Sequence, residues 1–299
     1  MTGRVRRDDD RVLAGALLML AAMVVVPWMD GIAKYLGGRY PVMQIVWARY
    51  FFHVVVLLPV VLWRHPVGAL WPRRPAVQIL RGGLLFGSTA LIFAAIRAMP
   101  LADALALVFV APLVVTALSP LVLAEAVGAR RWGAVVVGFL GAMLVVRPGA
   151  GAVAPAALLA LAAGGVHGLY YLTTRLLAGS APALITLLYT ALLGAVVSSA
   201  AVPFVWVAPS PFDFALMAAI GVIALLGHLL VIMAFERAPA SLLAPLGYAE
   251  IVMMTAIGWM LFGDFPGRLT LAGIAVIVAS GLYIARRGRR GRAAPAQPL

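Results

Sequence analysis

Long apolar runs, separated by short polar or proline-containing loops, follow one another along the whole chain. A helix that crosses a bilayer needs about 20 apolar residues, and each run approaches that length. The pattern therefore predicts an all-α polytopic membrane protein. The ten predicted spans lie near residues 12–33, 44–63, 76–97, 101–123, 131–147, 155–178, 183–206, 212–235, 240–262 and 269–286.

The second half of the chain repeats the first with a constant shift of 139 residues. The paired anchors, which need no insertion between them, are Pro100 and Pro239, Phe109 and Tyr248, Glu125 and Asp264, and Gly128 and Gly267. Each copy contains five predicted spans, and an odd number of spans places the second copy upside down relative to the first. Inverted repeats with a substrate site between them are typical of secondary transporters.

Composition excludes an ordinary soluble protein, because 64% of the residues are hydrophobic, 11% are charged and the mean hydropathy is +1.06. Soluble domains are nearer half apolar and a quarter charged. The chain has no cysteine, which excludes disulfides and thiolate metal sites, and we expect neither a metal nor a cofactor. The first apolar run lacks a clear cleavage pattern, which indicates a retained span rather than a signal peptide.

Basic residues are concentrated on one side of the predicted membrane. With a cytoplasmic amino terminus, the inner segments hold 17 of them and the outer segments hold five. The five outer residues are Lys34, Arg39, Arg97, Arg147 and Arg268. The positive-inside rule then predicts a multi-pass protein of a bacterial inner (plasma) membrane with both termini in the cytoplasm.

This interpretation divides the chain into a cytoplasmic N-terminal tail (1–11), a first repeat (12–147), a second repeat (155–286) and a basic, disordered cytoplasmic tail (287–299). The net charge of +13 sits mostly at the chain ends and the span ends, where it is attracted to anionic lipid headgroups. No basic face or aromatic platform accompanies it, so nucleic acid is not expected. The expected partners are membrane lipid and a small-molecule substrate, and a homodimer is left open.

Several stretches resemble a known family. They are Asp30-Gly-Ile-Ala-Lys34-Tyr35-Leu36, Gln44-Ile-Val-Trp47-Ala-Arg49-Tyr50, Ile79-Leu80-Arg81-Gly82-Gly83, Pro100-Leu-Ala-Asp103-Ala, Ala111-Pro112-Leu113, Glu125 and Arg131-Trp132-Gly133, with Ala244-Pro245, Tyr248, Glu250 and Asp264 in the second copy. These residues are similar to the EamA domain of the drug/metabolite transporter (DMT) superfamily, over residues 12–286. The resemblance implies ten helices in two inverted repeats, around a central cavity that opens to each side in turn.

The resemblance does not identify the substrate. Within the superfamily, the pattern of the first two helices is most similar to bacterial carriers of riboflavin and of S-adenosylmethionine. Exporters of amino acids or drugs share the same fold, and fold alone does not transfer a substrate. Such an exporter is therefore kept as the alternative.

Glu250 is the leading candidate for a substrate contact. It lies well inside its predicted span, close to the bilayer midplane, where an ionisable group is costly and usually functional. Tyr248 and Pro245 lie within two turns, and Pro245 can kink the helix where a cavity would form. The alternative is a structural ion pair or a hydrogen-bonded carboxyl that joins the repeats. A protonatable Glu250 would also allow coupling of transport to protons.

Arg49 is the second candidate, roughly 9 Å into the second span. His53 lies one turn further on the same face, and Trp47 lies beside it. The guanidinium suits a carboxylate or phosphate of the substrate, or an ion pair with Glu250. The alternative is that Arg49 extends to the outer headgroups, and its place in the family pattern favours the internal role.

Further residues are candidates for lining the cavity. His167 and His228 lie inside the sixth and eighth spans, although a lone buried histidine is more often a satisfied polar group. Arg81 precedes two glycines near the start of the third span, which suits either a substrate contact or a topology anchor. The aromatic residues that could stack on a flat substrate ring are Trp28, Trp47, Phe109, Tyr170, Tyr171 and Tyr248, with packing or an interfacial belt as the alternative for each.

Four charged residues near span ends are assigned gating or structural roles. Asp30 and Lys34 are four residues apart on the first span, which predicts an intrahelical ion pair, with a gate against the opposite repeat as the alternative. Glu125 and Asp264 close the fourth span of each repeat. We expect each of these two carboxylates to bind backbone N–H groups or a nearby arginine, such as Arg131 or Arg268, and to fix the turn.

No catalytic motif accompanies these residues. The chain has no paired-histidine zinc motif, no Gly-x-Ser-x-Gly elbow and no phosphate-cradling loop followed by lysine, which argues against an intramembrane enzyme and an ATP-driven pump. A channel would need a polar ring or a repeated filter. The sequence therefore predicts secondary-active transport of a small organic metabolite by alternating access, with the substrate at the interface of the two repeats.

Overall fold

The fold is helical throughout the part of the chain that the computed structural model describes, which is residues 2–123, 127–147, 153–177, 180–238, 242–243 and 246–292. The α-helices are α1 (Thr2–Gly37), α2 (Val42–Arg64), α3 (Pro75–Ile96), α4 (Leu101–Val108), α5 (Ala111–Val122), α6 (Ala129–Val146), α7 (Val153–Leu176), α8 (Ala183–Ala201), α9 (Pro211–Phe235), α10 (Ala249–Phe262) and α11 (Arg268–Arg292). Two short 3₁₀ turns, Val67–Leu70 and Val202–Val205, follow α2 and α8. The predicted all-α class is confirmed.

Nine helical segments in the described ranges are long and apolar enough to cross a membrane. One of these segments is formed by α4 and α5 together, and another consists of α8 with the 3₁₀ turn that follows it. The tenth predicted span contains α10, which has 14 residues. The beginning of that span includes residues 239–241 and 244–245, which lie outside the description. The segments correspond to the ten predicted spans, and the chain is a multi-pass membrane protein.

The two halves of the chain pack against each other through helix pairs that the repeat relates. Helix α1 contacts α9. The repeat relates α1 to α7 and α9 to α3, and α7 and α3 are also in contact. Helices α2, α4 and α6 contact their own repeat equivalents α8, α10 and α11. This set of contacts is unchanged when the halves are exchanged, as a pseudo-twofold axis requires.

Equivalent helices run in opposite directions. Three contacts between α6 and α11 follow one another: Gly138 with Ser280, Gly141 with Val276, and Val145 with Gly273. The residue numbers rise along α6 and fall along α11, so the two helices are antiparallel. Glycine allows this close approach, since a Cβ on Gly141 would lie 2.8 Å from the Val276 side chain. The two repeats are therefore inverted, as predicted.

Apolar side chains fill the interface between the halves and also cover the outside of the bundle. Leu36, Tyr50, Leu113 and Met217 are among the large side chains that are fully buried, and they belong to one cluster drawn from both repeats. Many large apolar side chains are exposed, such as that of Val136. Exposed apolar surface is expected where a helix faces lipid tails.

The two ends of the fold are more helical than the sequence predicts. Helix α1 begins at Thr2 and α11 continues to Arg292, so helix extends into the predicted tails at 1–11 and 287–299. Extending an existing helix adds a hydrogen bond per residue without a new nucleation step, and arginine is a good helix former. Residues 293–299 lie outside the described ranges.

The fourth span of the first repeat is interrupted rather than continuous. Helix α4 ends at Val108 and α5 begins at Ala111, with Pro112 in its first turn, and proline has no N–H to donate back to α4. The ring of Phe109, at this interruption, lies 5.1 Å from the ring of Tyr248, centroid to centroid. Tyr248 directly precedes α10. Because the repeat pairs these two residues, their contact marks the pseudo-twofold axis.

Candidate substrate site between the repeats

Glu250 lies beside an enclosed space near this axis, which we call the chamber and which is bordered by Asp30, Arg49, His167, Tyr171, His228 and Glu250. Glu250 is in the first turn of α10, two residues after Tyr248. Its side chain keeps accessible surface although protein surrounds it, which places it at an enclosed space. The charge of Asp30 acts on Glu250. The carboxylate of Glu250 has no hydrogen bond or salt bridge to a described residue. The ion pair between Glu250 and Arg49, one of the possibilities considered for Arg49, is therefore not formed.

Arg49 is inside the bundle, in the half of the chamber nearer the predicted outer end. Its side chain is only 6% exposed, its Nη1 donates to Thr89 Oγ1 at 2.8 Å, and its guanidinium lies over the ring of Tyr50. These contacts show that it does not extend to the headgroups. Its charge acts on the buried carboxylate of Asp30, so Asp30 and Arg49 face the same region.

Lys34 binds the opposite repeat instead of Asp30. Its Nζ donates to Asp264 Oδ2 at 2.9 Å and to the carbonyl of Met99 at 2.7 Å. The predicted Asp30–Lys34 pair is not formed because the long lysine side chain reaches a carboxylate on the other repeat and a backbone carbonyl just after α3, which needs a donor. The partner of Asp264 is thus Lys34 rather than the expected Arg268, which agrees with the alternative of a contact between repeats.

A polar cluster that the sequence pattern did not single out lies beside this salt bridge. Arg147 donates from Nη2 to Thr270 Oγ1 at 3.0 Å, and Thr270 is also hydrogen-bonded to the carboxylate of Asp103. The cluster joins the ends of α4, α6 and α11. Asp103 belongs to the Pro-Leu-Ala-Asp stretch of the family pattern, which is the signal that could have identified it. Glu125, the repeat equivalent of Asp264, lies outside the described residues.

Three histidines approach the middle of the bundle. The ring of His53, 3% exposed, lies 6.1 Å from that of His228, centroid to centroid, and its Nε2 has no hydrogen-bond partner among the described residues. His167 Nδ1 shares a hydrogen bond with the hydroxyl of Ser88 at 3.1 Å. His167 and His228 keep accessible surface although they are enclosed, so both line the chamber.

Tyrosines form another part of the chamber wall. Tyr171 is 45% exposed yet is enclosed by protein and lies within electrostatic reach of Glu250 and Tyr248. Its ring centroid lies 4.6 Å from that of His167 and 5.6 Å from that of Tyr170. An open aromatic face of this kind can stack on a flat ring or bind a cation.

Arg81 is buried nearer the predicted inner end, about 9 Å from the start of α3. Four acceptors surround its guanidinium: Tyr170 Oη at 2.8 Å, Thr174 Oγ1 at 2.7 Å, the carbonyl oxygen of Thr186 at 3.2 Å, and Thr190 Oγ1. These residues belong to α7 and α8 of the second repeat. The structure therefore places Arg81 between the repeats rather than at the headgroups, where a topology anchor would lie.

Trp47 does not join this group. Its Nε1 donates to the hydroxyl of Ser199 at 3.1 Å, and its ring stacks on that of Phe51 and meets Trp206 edge-on. This aromatic cluster lies near the predicted outer end of the bundle. The position fits the interfacial belt that was the alternative for Trp47.

Asp213 ties the repeats together at the same end. Its carboxylate accepts from Tyr40 Oη at 2.7 Å and from Arg39 Nη1 at 3.3 Å. Tyr40 lies in the loop before α2, and its bond to the Asp213 carboxylate raises the pKa of the Tyr40 phenol. With the Lys34–Asp264 salt bridge, these bonds join the two repeats at the predicted outer end.

The chamber can bind a polar organic solute. Asp30 and Glu250 supply carboxyl groups, Arg49 and Arg81 supply positive charge, and Tyr171 supplies a flat face. No group of three or more His, Cys, Asp or Glu side chains in the described ranges is placed to hold a metal ion.

Comparison with protein families gives two matches to the same family. The model of the EamA-like transporter family matches residues 13–147 and again residues 154–286. A solved crystal structure has a similar fold, with a TM-score of 0.66 over 92% of this chain and 98% of that chain, at 20% sequence identity.

Curated relatives cover almost the whole chain. The S-adenosylmethionine uptake transporter of Rickettsia prowazekii is 30% identical over 91% of this chain and 92% of its own length. The riboflavin transporter of Rhizobium johnstonii is 26% identical, with 97% and 96% covered. The pseudopaline exporter CntI of Pseudomonas aeruginosa is 27% identical, with 93% and 98% covered.

Proposed function

Because the chain belongs to the EamA-like transporter family, we propose that it carries a small organic metabolite by alternating access, with the solute held between the two inverted repeats. The curated relatives are named as transporters of small molecules, so membrane transport rather than catalysis is its activity. The site, the substrate and the mechanism are our proposal.

The carboxyl groups of Asp30 and Glu250, which have no described hydrogen bond or salt bridge, are the observation that supports this site. Ionisable groups deep in a membrane are costly unless they are paired or used. Asp30 and Glu250 accept no hydrogen bond from any described side chain. They come from different repeats, as expected if a solute bridges the repeats near the midplane.

S-adenosylmethionine is the substrate that we propose first. The relative named for its uptake is 30% identical over nearly the whole chain. This solute has a sulfonium cation and a flat adenine ring. The cation suits the carboxylates of Asp30 and Glu250, and the ring suits the open face of Tyr171.

Riboflavin is the second candidate, supported by a relative at 26% identity and by the same tyrosine face. Riboflavin carries no positive charge, so Asp30 and Glu250 would gain no counter-charge from it. One relative is named for uptake and another for export, and the direction of transport therefore has to be measured both ways.

The membrane orientation is also a proposal. We propose that the protein lies in a bacterial inner membrane with both termini in the cytoplasm. The distribution of basic residues, 17 in the inner segments against five in the outer segments, supports this orientation.

Counterflow in proteoliposomes tests the proposed function. Liposomes that contain the purified protein are loaded with unlabelled S-adenosylmethionine, and entry of labelled S-adenosylmethionine is followed without ATP. We expect saturable entry that protein-free liposomes lack. Riboflavin is measured in parallel, and flux of riboflavin alone would favour the second candidate. Absence of flux for both solutes, under gradients of either direction, would reject both proposed substrates.

A further inference from the structure

Arg81 holds a positive charge inside the bundle that no described carboxylate neutralises. Its side chain is 6% exposed, and the acceptors around it are all neutral: three hydroxyls and one backbone carbonyl. An uncharged amide side chain could donate hydrogen bonds here without the cost of burying a charge. The charge is therefore the property of Arg81 that packing does not explain.

Arg49, the other buried arginine of the chamber, differs in this respect. Its charge acts on the carboxylate of Asp30 on α1, so a carboxylate lies within its electrostatic reach although the two side chains share no described hydrogen bond. Arg81 has hydroxyl groups where Arg49 has this carboxylate. Of these two arginines, Arg81 is the one whose described hydrogen-bond acceptors are all neutral and that has no described carboxylate beside it.

The surroundings of Arg81 connect it to the chamber. Tyr170, which accepts from Nη2 at 2.8 Å, has its ring centroid 5.2 Å from that of His167 and directly precedes Tyr171. Both His167 and Tyr171 line the chamber. A solute in the chamber could therefore reach the guanidinium by replacing the hydroxyl of Tyr170 as an acceptor.

We propose that the guanidinium of Arg81, which now donates to the neutral oxygens of Tyr170, Thr174 and Thr190, is a subsite for an anionic group of the carried solute, a carboxylate or a phosphate. The inference rests on the transport function proposed above. It adds a requirement to that function: the solute has a negative group in addition to any ring or cation that the chamber accepts.

Exchange of hydrogen-bond acceptors is the physical basis of this subsite. A bond from a guanidinium to an anion is about twice as strong as a bond to a neutral oxygen, and the guanidinium fork matches a carboxylate or phosphate with two parallel bonds. The anion would displace neutral acceptors of α7 and α8, which now join these helices to α3. Binding of the solute would therefore loosen one contact between the repeats at the predicted inner end.

Inorganic phosphate tests the subsite without assuming which metabolite is carried. The full chain in detergent is titrated with phosphate, against chloride at matched ionic strength, and Kd is obtained from the shift in Tm. We expect binding by the wild type and by the control Arg237→Gln, whose guanidinium lies at the end of α9 beside Glu236, and a loss of about 10- to 100-fold in affinity for Arg81→Gln. Arg81→Lys keeps the charge and should lose less. No response in the wild type, or a response that survives Arg81→Gln, would overturn the proposal.

Tyr170→Phe decides the question if Arg81→Gln does not fold. This substitution keeps the ring but removes a neutral acceptor that competes with the anion for Nη2. A subsite predicts phosphate binding tighter by about two- to tenfold. An arginine with a purely structural role predicts a lower Tm and an unchanged affinity, and that outcome would overturn the proposal.

Lipid headgroups are a second source of phosphate, and phosphatidylglycerol is added in a parallel titration. An Arg81-dependent shift with this lipid, and none with free phosphate, would assign the residue to lipid binding and overturn the solute subsite.

Transport of the metabolites is judged separately from phosphate binding. Arg81-dependent phosphate binding without flux of either metabolite would keep the subsite and reject those two substrates, whereas flux without such binding would reject the subsite.

Discussion

At the scale of single residues, the chamber differs from an ordinary buried polar network. Buried charges in proteins are normally paired, because an unpaired charge loses its hydration without compensation. Asp30 and Glu250 lack such bonds among the described residues, while Lys34 and Asp213, nearer the outer end, have theirs. The pattern separates residues that hold the repeats together from residues that remain available to a solute.

Replacing Glu250 with glutamine should reduce transport and leave the protein folded. Glutamine keeps the shape of the side chain and removes a carboxyl group that is costly to ionise without a partner. The Tm of Glu250→Gln should therefore be unchanged or higher. Affinity for a cationic solute should fall about tenfold or more, since bonds to charged groups are among the stronger ones. Counterflow and Tm are measured on the same preparation.

Glu236→Gln is the matched control for this prediction. The side chain of Glu236 is 65% exposed at the end of α9, where its ion-pair partner is Arg237, so its charge should not affect transport. An equal loss of flux in both variants would show a non-specific effect. A large fall in Tm for Glu250→Gln would show that Glu250 has a structural role instead.

Some of these residues could be identified from the sequence, and others could not. The depth of Glu250 and Arg49 in their apolar runs is a property of the chain itself, so both could be identified as candidates. The partner of Lys34 could not, because Asp264 lies 230 positions away, whereas a helical neighbour is visible locally. Thr89 could not be identified from the sequence as a hydrogen-bond partner of Arg49. A hydroxyl in a helix normally bonds its own backbone, as Thr89 also does.

At the scale of helices, the lengths of the apolar runs predicted where each span lies, but they did not predict whether the helix within a span is continuous. Helices α2, α3 and α9 begin and end within two residues of the expected bounds. The interruption between α4 and α5 was not predicted, because a proline such as Pro112 is compatible with a helix start, a kink or a break. The symmetric position of Phe109 and Tyr248 at the axis appears only when both repeats are packed together.

The salt bridge between α1 and the loop after α10 should behave as one unit. Lys34 and Asp264 are 13% and 31% exposed, so each single charge reversal, Lys34→Asp or Asp264→Lys, should lower the free energy of unfolding by about 1–2 kcal/mol. The double reversal should recover most of this loss, although Met99 then loses its donor. A double-mutant cycle on thermal or denaturant unfolding measures the coupling.

The exposed neighbours Glu236 and Arg237, whose charged atoms are 3.9 Å apart, provide the comparison pair. Reversal of this pair should change stability by less than about 0.5 kcal/mol, because exposed pairs contribute little. If the Lys34 and Asp264 reversals prove additive, with no recovery in the double variant, the bridge does not hold the repeats together at this end.

At the scale of the whole molecule, inversion of the repeats follows from the number of spans in each repeat, which can be counted in the sequence. Five spans in each copy force opposite orientations, and the antiparallel contacts of α6 with α11 agree with this. Which end faces the cytoplasm is a separate matter, because the fold has the same contacts in either orientation. Only the distribution of basic residues bears on it, and this makes the orientation directly testable.

Cysteine labelling tests both inversion and orientation, because the chain has no cysteine of its own. The loop after the second span of each repeat contains an exposed residue, Gly68 in the first and Ala208 in the second. Gly68→Cys should react with a membrane-impermeant maleimide only in inside-out vesicles, and Ala208→Cys only in intact cells. The opposite assignment would keep the inverted repeats and reverse the orientation. Reaction of both cysteines from one side would contradict the inversion, and with it a substrate site shared between two antiparallel halves.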